Sequence, residues 1–281
     1  MARYALLCDV EKCTGCYACF LACKDEHVGN CHDPYAAPAS EGQKWIDVKE
    51  IEYGAGDKVK VDYIPIMCQH CSTPACAKDA PDGAVYARQD GIVIIDPKKS
   101  EGAKSIMYNC PYGAVHWNKA LELPQKCTLC AHMLDGGERI ARCAECCPTG
   151  ALVFGDIENP DSAISKLIAK LGERLESYKP QFGTHPNVIY HALPKPFVAG
   201  DLAFYDRNGE PACGIHVTLT CNDSLKSHET VTDALGDFIF KQLQSGGAYT
   251  LKIKAPGYTT VERVVQMNVA QNLGTITLKK V

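Results

Sequence analysis

The pattern of apolar and polar positions divides the chain into two regions of different character. Residues 4–10 (YALLCDV) are mostly apolar with aromatic and β-branched content, and predict a first strand. A short helix is expected over 16–26, followed by a loop over 29–44 rich in Gly, Asn, Pro, Ala and Ser. Residues 45–52 alternate apolar and charged side chains, as a half-buried strand does. Gly54-Ala55-Gly56-Asp57 predicts a turn and 58–65 a second strand, so the pair reads as an inserted hairpin. Residues 84–88 and 92–96 flank Gln89-Asp90-Gly91, a second hairpin signal with Gly at the turn. Asn159-Pro160 predicts a helix start, after which Ile164, Leu167, Ile168, Leu171 and Leu175 recur on one helical face. Four prolines within 179–197 suggest an extended strap.

From Val198 onward, short β-branched runs at 202–206, 215–221, 238–243, 249–254, 259–265 and 273–279 alternate with turn signals such as Arg207-Asn208-Gly209 and Ser245-Gly246-Gly247. That spacing predicts an all-β sandwich of about seven strands. The expected fold class is therefore α+β, with a first domain over 1–178, a linker over 179–197 and a sandwich over 198–281.

Composition narrows the chemistry. The 281 residues carry a net charge of -4, which argues against nucleic acid and anionic membranes as partners. No apolar run reaches the 18 residues of a membrane span. The first cysteine motif follows the N-terminus at once, leaving no room for a secretory signal, and a cytoplasmic protein is expected. Seventeen cysteines are too few for a disulfide scaffold of this length, and fifteen of them precede residue 150. Clustered thiols in such runs read as metal ligands.

Cys13, Cys16, Cys19 and Cys23 have the C-x2-C-x2-C-x3-C spacing of a bacterial-type [4Fe-4S] ligand run, in which the fourth Cys serves a second cluster. Zinc needs only two close pairs of ligands, so four cysteines in this order disfavour it. Further sets are Cys68, Cys71 and Cys76; Cys110 followed by Pro111; and Cys127 and Cys130 with Cys143, Cys147 and Pro148. Counting back from Cys110 with the first spacing reaches Ser100, Ala103 and Ile106, and the residue before Pro81 is Ala80. One ligand frame survives there without its thiolates. Cys8, Cys31, Cys146, Cys213 and Cys221 fall outside every frame and are expected as small buried apolar residues, with Cys146 a rival to Cys147. His27, His32, His70, His116 and His132 replace no cysteine in the frames, and read as hydrogen-bond donors or surface residues. Tyr112, Trp45 and Trp117 are expected to pack around the clusters. No nucleophile–base arrangement, nucleotide loop or H-E-x-x-H is present, so no catalytic residue is expected.

On these cysteine sets, the first two thirds of the chain resemble the iron–sulfur electron-transfer subunits of molybdenum bis-pterin enzymes of the dimethyl sulfoxide reductase family. The missing cluster and appended β domain resemble the small subunits of the pyrogallol–phloroglucinol transhydroxylase and catechol dehydroxylase type. Asp206-x2-Gly209, Asp233-x2-Gly236 and Ala255-x-Gly257-Tyr258 make the tail similar to transthyretin-like or carboxypeptidase-regulatory-like modules. The resemblance implies a ferredoxin-like domain with three [4Fe-4S] clusters, paired across motifs. Cys13, Cys16, Cys19 and Cys147 would hold one, Cys127, Cys130, Cys143 and Cys23 another, and Cys68, Cys71, Cys76 and Cys110 the third. The fourth set would be Ala80, Ser100, Ala103 and Ile106. It also implies a large catalytic partner that carries the molybdenum bis-pterin cofactor, in a heterodimer or higher assembly. This chain would then be a non-catalytic electron-transfer subunit acting, through its partner, on phenolic rings. Two other readings stand beside this one: a subunit of another reductase of the same family, or a docking or assembly protein whose clusters are structural.

Overall fold

The computed structural model describes residues 2–55 and 58–281, so two residues of the expected turn, Gly56 and Asp57, lie outside the described residues. The fold is α+β, and the chain divides into two compact units. The first comprises residues up to Glu50 together with Asp62–Leu193, and the second comprises Ile51–Val61 together with Pro194–Val281.

In the first unit, strand Tyr4–Asp9 lies at the middle of a four-stranded sheet. It pairs antiparallel with Leu152–Asp156 (Leu6 opposite Phe154) and parallel with Val188–His191 (Leu6 opposite Val188). Successive side chains of a strand point to opposite faces, and here both faces are covered. Ala5 and Leu7 pack beneath helix Ala163–Leu171, against Ile164 and Leu171. Leu6 and Cys8 turn the other way, into the large core that contains most of the cysteines. Burial on both sides explains why this segment is apolar almost throughout rather than alternating.

Helix Ala163–Leu171 begins later than Asn159-Pro160 implied. Ser162 is its N-cap, and the Ser162 Oγ accepts a hydrogen bond from the Ser165 backbone N–H at 3.1 Å. Ile164, Leu167, Ile168 and Leu171 share the buried face as expected, while Leu175 falls beyond the helix in a two-residue strand. The strap expected over 179–197 is not a free linker. Val188–His191 in its middle is an inner strand of the sheet, with Val188 and Tyr190 fully buried. Its prolines flank that strand and leave its ladder hydrogen bonds intact.

The inserted hairpin is formed by Ile46–Ala55 and Lys58–Met67. Its base, with Ile46, Val48, Ile64, Ile66 and Met67, belongs to the cysteine core. Its outer half belongs to the second unit, where the Tyr53 ring lies 5.8 Å from that of Phe197 and Lys58 Nζ is 2.7 Å from Asp237 Oδ2. The second hairpin, Val85–Ala87 with Val93–Ile95, is present as predicted.

The second unit is a sandwich of two four-stranded sheets. One contains Val198–Phe204, Glu210–Pro211, Asp237–Phe240 and Gln271–Leu278; the other contains His216–Cys221, Ser227–Val231, Ala248–Lys254 and Val261–Gln266. Their inward residues, including Leu202, Val217, Leu219, Phe238, Leu251, Ile253 and Ile276, form one core. Ser227–Val231 carries too few apolar residues to register as a strand in the sequence. It pairs along only one side, with His216–Cys221, and contributes no residue to that core. Gly236 sits at φ +81, where a Cβ would lie 2.4 Å from the Leu202 carbonyl oxygen. Gly236→Ala should therefore destabilise the sandwich by about 2 kcal/mol or more, seen as a lower unfolding midpoint in calorimetry.

Candidate metal centre

The cysteines are held by two kinds of local turn, each repeated. The first is C-x-x-C. In Cys13–Cys16, Cys68–Cys71 and Cys127–Cys130, the third residue takes a left-handed conformation: Gly15 at φ +68, His70 at +44, Leu129 at +48. This rotates its backbone N–H toward the first sulfur. The His70 N–H reaches Cys68 Sγ at 3.4 Å and the Leu129 N–H reaches Cys127 Sγ at 3.3 Å. The Gly15 N–H acts the same way on Cys13. At Gly15 a Cβ would also lie 2.5 Å from the Tyr63 ring, so glycine is required there for space as well as for backbone angle. The second turn is Cys-Pro-x-Gly-Ala. Cys110–Ala114 and Cys147–Ala151 place Gly113 and Gly150 at φ +63 and +64. The backbone N–H groups of Tyr112 and Ala114 then point at Cys110, and those of Thr149 and Ala151 at Cys147.

These turns gather the sulfurs into three neighbourhoods. Cys13, Cys16, Cys19 and Cys147 line one pocket. Cys143 is pushed well up by burial and then by Cys130, Cys127 and Cys23. Cys76 is pushed up to about 12 by burial and then by Cys68, with Cys110 and Cys71 adding to the effect. Burial is also the main cause of the rise to about 12 at Cys19 and Cys127, and to about 11 at Cys71 and Cys130. The groups form a row: Cys19 acts on both Cys23 and Cys143, and Cys68 acts on Cys127.

Among the described residues, no three cysteine sulfurs lie within 4.8 Å of one another. A tetrahedral zinc ion with Zn–S bonds of about 2.3 Å would hold its sulfurs about 3.8 Å apart. Among the described residues, then, no cysteine trio has the close spacing that a single zinc ion imposes.

Cys146 and Cys147 behave differently. Burial raises the Cys147 thiol, but the backbone N–H of Leu152, the Thr149 hydroxyl and the backbone N–H groups of Thr149 and Ala151 outweigh it, and the net shift is downward. Cys146 is shifted upward, mainly by burial, is absent from the cavity lining, and its Sγ donates a weak hydrogen bond to the Cys143 carbonyl at 3.5 Å.

The fourth ligand frame keeps its backbone. Gly102 in Ser100-Glu101-Gly102-Ala103 has φ +72, matching Gly15, and Gly83 in Ala80-Pro81-Asp82-Gly83-Ala84 has φ +66, matching Gly113 and Gly150. The space is filled by a small apolar core in which Ala80, Ala103 and Ile106 pack with Cys76, Ala84, Ile95 and Val115. Ser100 is fully buried and its Oγ has no hydrogen-bond partner among the described residues.

Other residues are placed where the sequence did not point. Lys126 is buried, and its Nζ donates to the carbonyls of Val93 and Cys127, the latter at 3.1 Å. Its charge favours the thiolates of Cys76, Cys110 and Cys127. Nothing in a single Lys preceding a Cys-x-x-Cys run distinguishes it from a surface residue. Cys8 is buried beside Cys19, Cys13 and Cys147, which together with burial raise its thiol. His27 and His70 are core residues rather than surface ones. His70 Nδ1 accepts the Val93 N–H at 3.0 Å, and His27 packs on buried Trp45 with ring centroids 4.5 Å apart. Tyr112 lies beside the third group, its hydroxyl 2.6 Å from that of Thr184.

An array of thiols held in repeated turns, most of them buried or half-buried, defines an iron–sulfur protein of the electron-transfer type. Residues 59–157 match the 4Fe-4S dicluster domain family and residues 205–279 the carboxypeptidase regulatory-like domain family. The chain belongs to the family of iron–sulfur electron-transfer subunits of dimethyl sulfoxide reductase-type molybdoenzymes. It is 34% identical over 284 residues to the pyrogallol hydroxytransferase small subunit of Pelobacter acidigallici, covering 99% of this chain and 100% of that one. A tetrathionate reductase subunit of Salmonella typhimurium is 32% identical over 70% of this chain and 75% of its own length. A putative dimethyl sulfoxide reductase iron-sulfur subunit from Halobacterium salinarum is 34% identical over 68% of this chain and 79% of its own. No helix among the described residues is long and apolar enough to cross a membrane.

The packing of the fourth frame makes a specific forecast. Ile106→Ala should cost about 2–5 kcal/mol, as a fully buried aliphatic side chain does. Denaturant unfolding would show that loss, and iron analysis should show no change, since Ile106 fills space and binds nothing.

Proposed function

We propose that the chain is the electron-transfer subunit of a cytoplasmic molybdenum enzyme acting on phenolic rings, and that it carries three [4Fe-4S] clusters. Cys13, Cys16, Cys19 and Cys147 bind the first, Cys23, Cys127, Cys130 and Cys143 the second, and Cys68, Cys71, Cys76 and Cys110 the third. Bound there, the clusters supply one-electron transfer, and the chain's own residues set the conditions for it. The thiols must ionise to become ligands. Burial opposes that ionisation, so the cationic iron core and the N–H groups aimed at the sulfurs have to offset it together. Lys126 adds a fixed positive charge between the second and third groups, which favours the reduced forms of both.

The row of three groups supports a linear route. The apolar core around Ile106 closes it beyond Cys76 and Cys110. The observation that carries the phenolic reading is coverage. The likeness to the pyrogallol hydroxytransferase small subunit runs through the sandwich to the end of both chains, whereas the tetrathionate and dimethyl sulfoxide reductase relatives align with about two thirds of this one. The same likeness supports a large partner that holds the molybdenum bis-pterin cofactor. Seventeen cysteines read as ligands and small apolar residues rather than disulfides suit a reducing compartment, which supports a cytoplasmic location.

Anaerobic analysis should find about twelve iron and twelve sulfide per chain, four of each per cluster; about sixteen or about eight iron would overturn the count. Cys147→Ser should remove or alter one cluster, while Cys146→Ser should leave the iron content unchanged. The native complex should co-purify with molybdenum in a larger subunit. It should turn over trihydroxybenzenes or catechols, and a complex active only on tetrathionate or sulfoxides would sink the phenolic assignment.

A further inference from the structure

Three imidazoles and one carboxylate meet beside the second cysteine group, where no cysteine frame requires them. Glu26 lies near the end of helix Ala18–His27, His32 in the following loop, and His132 in the short helix Ala131–Asp135 just after Cys130. His132 Nε2 is 2.9 Å from Glu26 Oε1, and His32 Nε2 is 3.8 Å from the same oxygen. His32 Nε2 also lies 2.8 Å from the Glu26 carbonyl oxygen, which accepts a hydrogen bond from Asn30 Nδ2 at 3.0 Å as well. The rings of His32 and His132 stack with centroids 3.7 Å apart and planes at 17°, so both Nε2 atoms face one residue from one side. The other carboxylate oxygen, Oε2, faces Arg142, whose Nε is 3.8 Å away.

Among the described residues this is the one set of three metal-ligating side chains whose donor atoms all lie within 4.8 Å of one another. A zinc-class ion with N and O ligands at about 2.0–2.2 Å holds its donors about 3.4 Å apart, which 2.9 and 3.8 Å bracket. Among the described residues, this narrow set alone has the donor spacing of a single ion. A neutral imidazole holds one proton on either nitrogen, so each ring can free Nε2 by keeping its proton on Nδ1. Both Nε2 atoms face acceptors, His132 the Glu26 carboxylate and His32 the Glu26 carbonyl, so each donates its proton there; an ion would take the place of that proton, which moves to Nδ1, and His132 Nδ1 has no hydrogen-bond partner opposing the exchange. Beneath the set lies His27, its ring edge-on to both others at 5.1 and 5.4 Å; its Nδ1 is buried and also unpartnered. The side chains of His32 and His132 are each 15% exposed and that of Glu26 23%, which gives an ion a way in without unfolding.

We propose that Glu26, His32 and His132 form a mononuclear site for a divalent transition-metal ion of the zinc class, through Glu26 Oε1 and the two Nε2 atoms, distinct from the cysteine groups. Imidazole with one carboxylate is a donor set suited to zinc and its neighbours. Because Glu26 acts on both Cys23 and Cys130, an ion there also places positive charge beside the second group.

The test uses the full iron-loaded chain, incubated with zinc and desalted, with both metals measured by mass spectrometry. One zinc per chain is expected over the iron, with zinc-edge X-ray absorption showing N/O ligands at about 2.0–2.1 Å. His32→Ala and Glu26→Gln should each weaken zinc binding roughly 10–100-fold or more with iron content unchanged. If Glu26→Gln disturbs iron, His32→Ala alone decides, since the His32 loop carries no cluster cysteine. The proposal is overturned if no zinc is retained, if zinc is bound by sulfur at about 2.3 Å, or if His32→Ala binds it as tightly as the parent.

Discussion

The structure is governed by the cost of burying many ionisable sulfurs side by side. Burial, as the foremost cause, holds the thiols of Cys13, Cys19, Cys23, Cys71, Cys76, Cys110, Cys127, Cys130 and Cys143 above their ordinary range, while that of Cys147 lies below it. Such a core is neutral as bare thiols and charged as thiolates, and only strong cations make the charged form tolerable. The repeated left-handed turns answer the same constraint. Each uses backbone strain or a glycine to swing an N–H onto a sulfur, and the two turn types recur at Cys13, Cys68 and Cys127 and at Cys110 and Cys147.

The fourth frame shows what remains when that constraint is lifted. Removing four thiolates together spares the protein an unpaired buried charge, which is far more destabilising than an apolar substitution. The backbone angles at Gly83 and Gly102 persist because they belong to the connections between elements, not to the ligand itself. Ile106, Ala80 and Ala103 occupy that frame in a small apolar core, with Ser100 Oγ, unpartnered among the described residues, as the residual polar cost.

The second unit obeys different physics. Its core is aliphatic and aromatic, its sheets alternate inward apolar with outward polar residues, and no metal-ligand set lies within it among the described residues. The outer half of the inserted hairpin is part of this unit, through Tyr53 with Phe197 and Lys58 with Asp237. A boundary drawn along the sequence at the prolines therefore misses a segment from far upstream.

Much of this protein was legible in one dimension. Cysteine spacing is a direct record of geometry, because x2 gaps let neighbouring sulfurs face one centre from a single loop; the same spacing marked the thiolate-free frame at Ala80, Ser100, Ala103 and Ile106. Strand periodicity located most of the sandwich, since its faces differ in solvent exposure. What the sequence left open was decided by contacts between distant segments. Val188–His191 is a strand because Tyr4–Asp9 offers it a parallel partner, a pairing invisible in a proline-rich stretch. Spacing already set Cys146 outside the frames, and the N–H groups that Thr149, Ala151 and Leu152 turn toward Cys147 supply the physical reason. Lys126 and the meeting of Glu26, His32 and His132 carry no spacing signal, because their partners come together only when the chain folds: tertiary structure alone sets the dielectric and the distances on which charge and coordination depend.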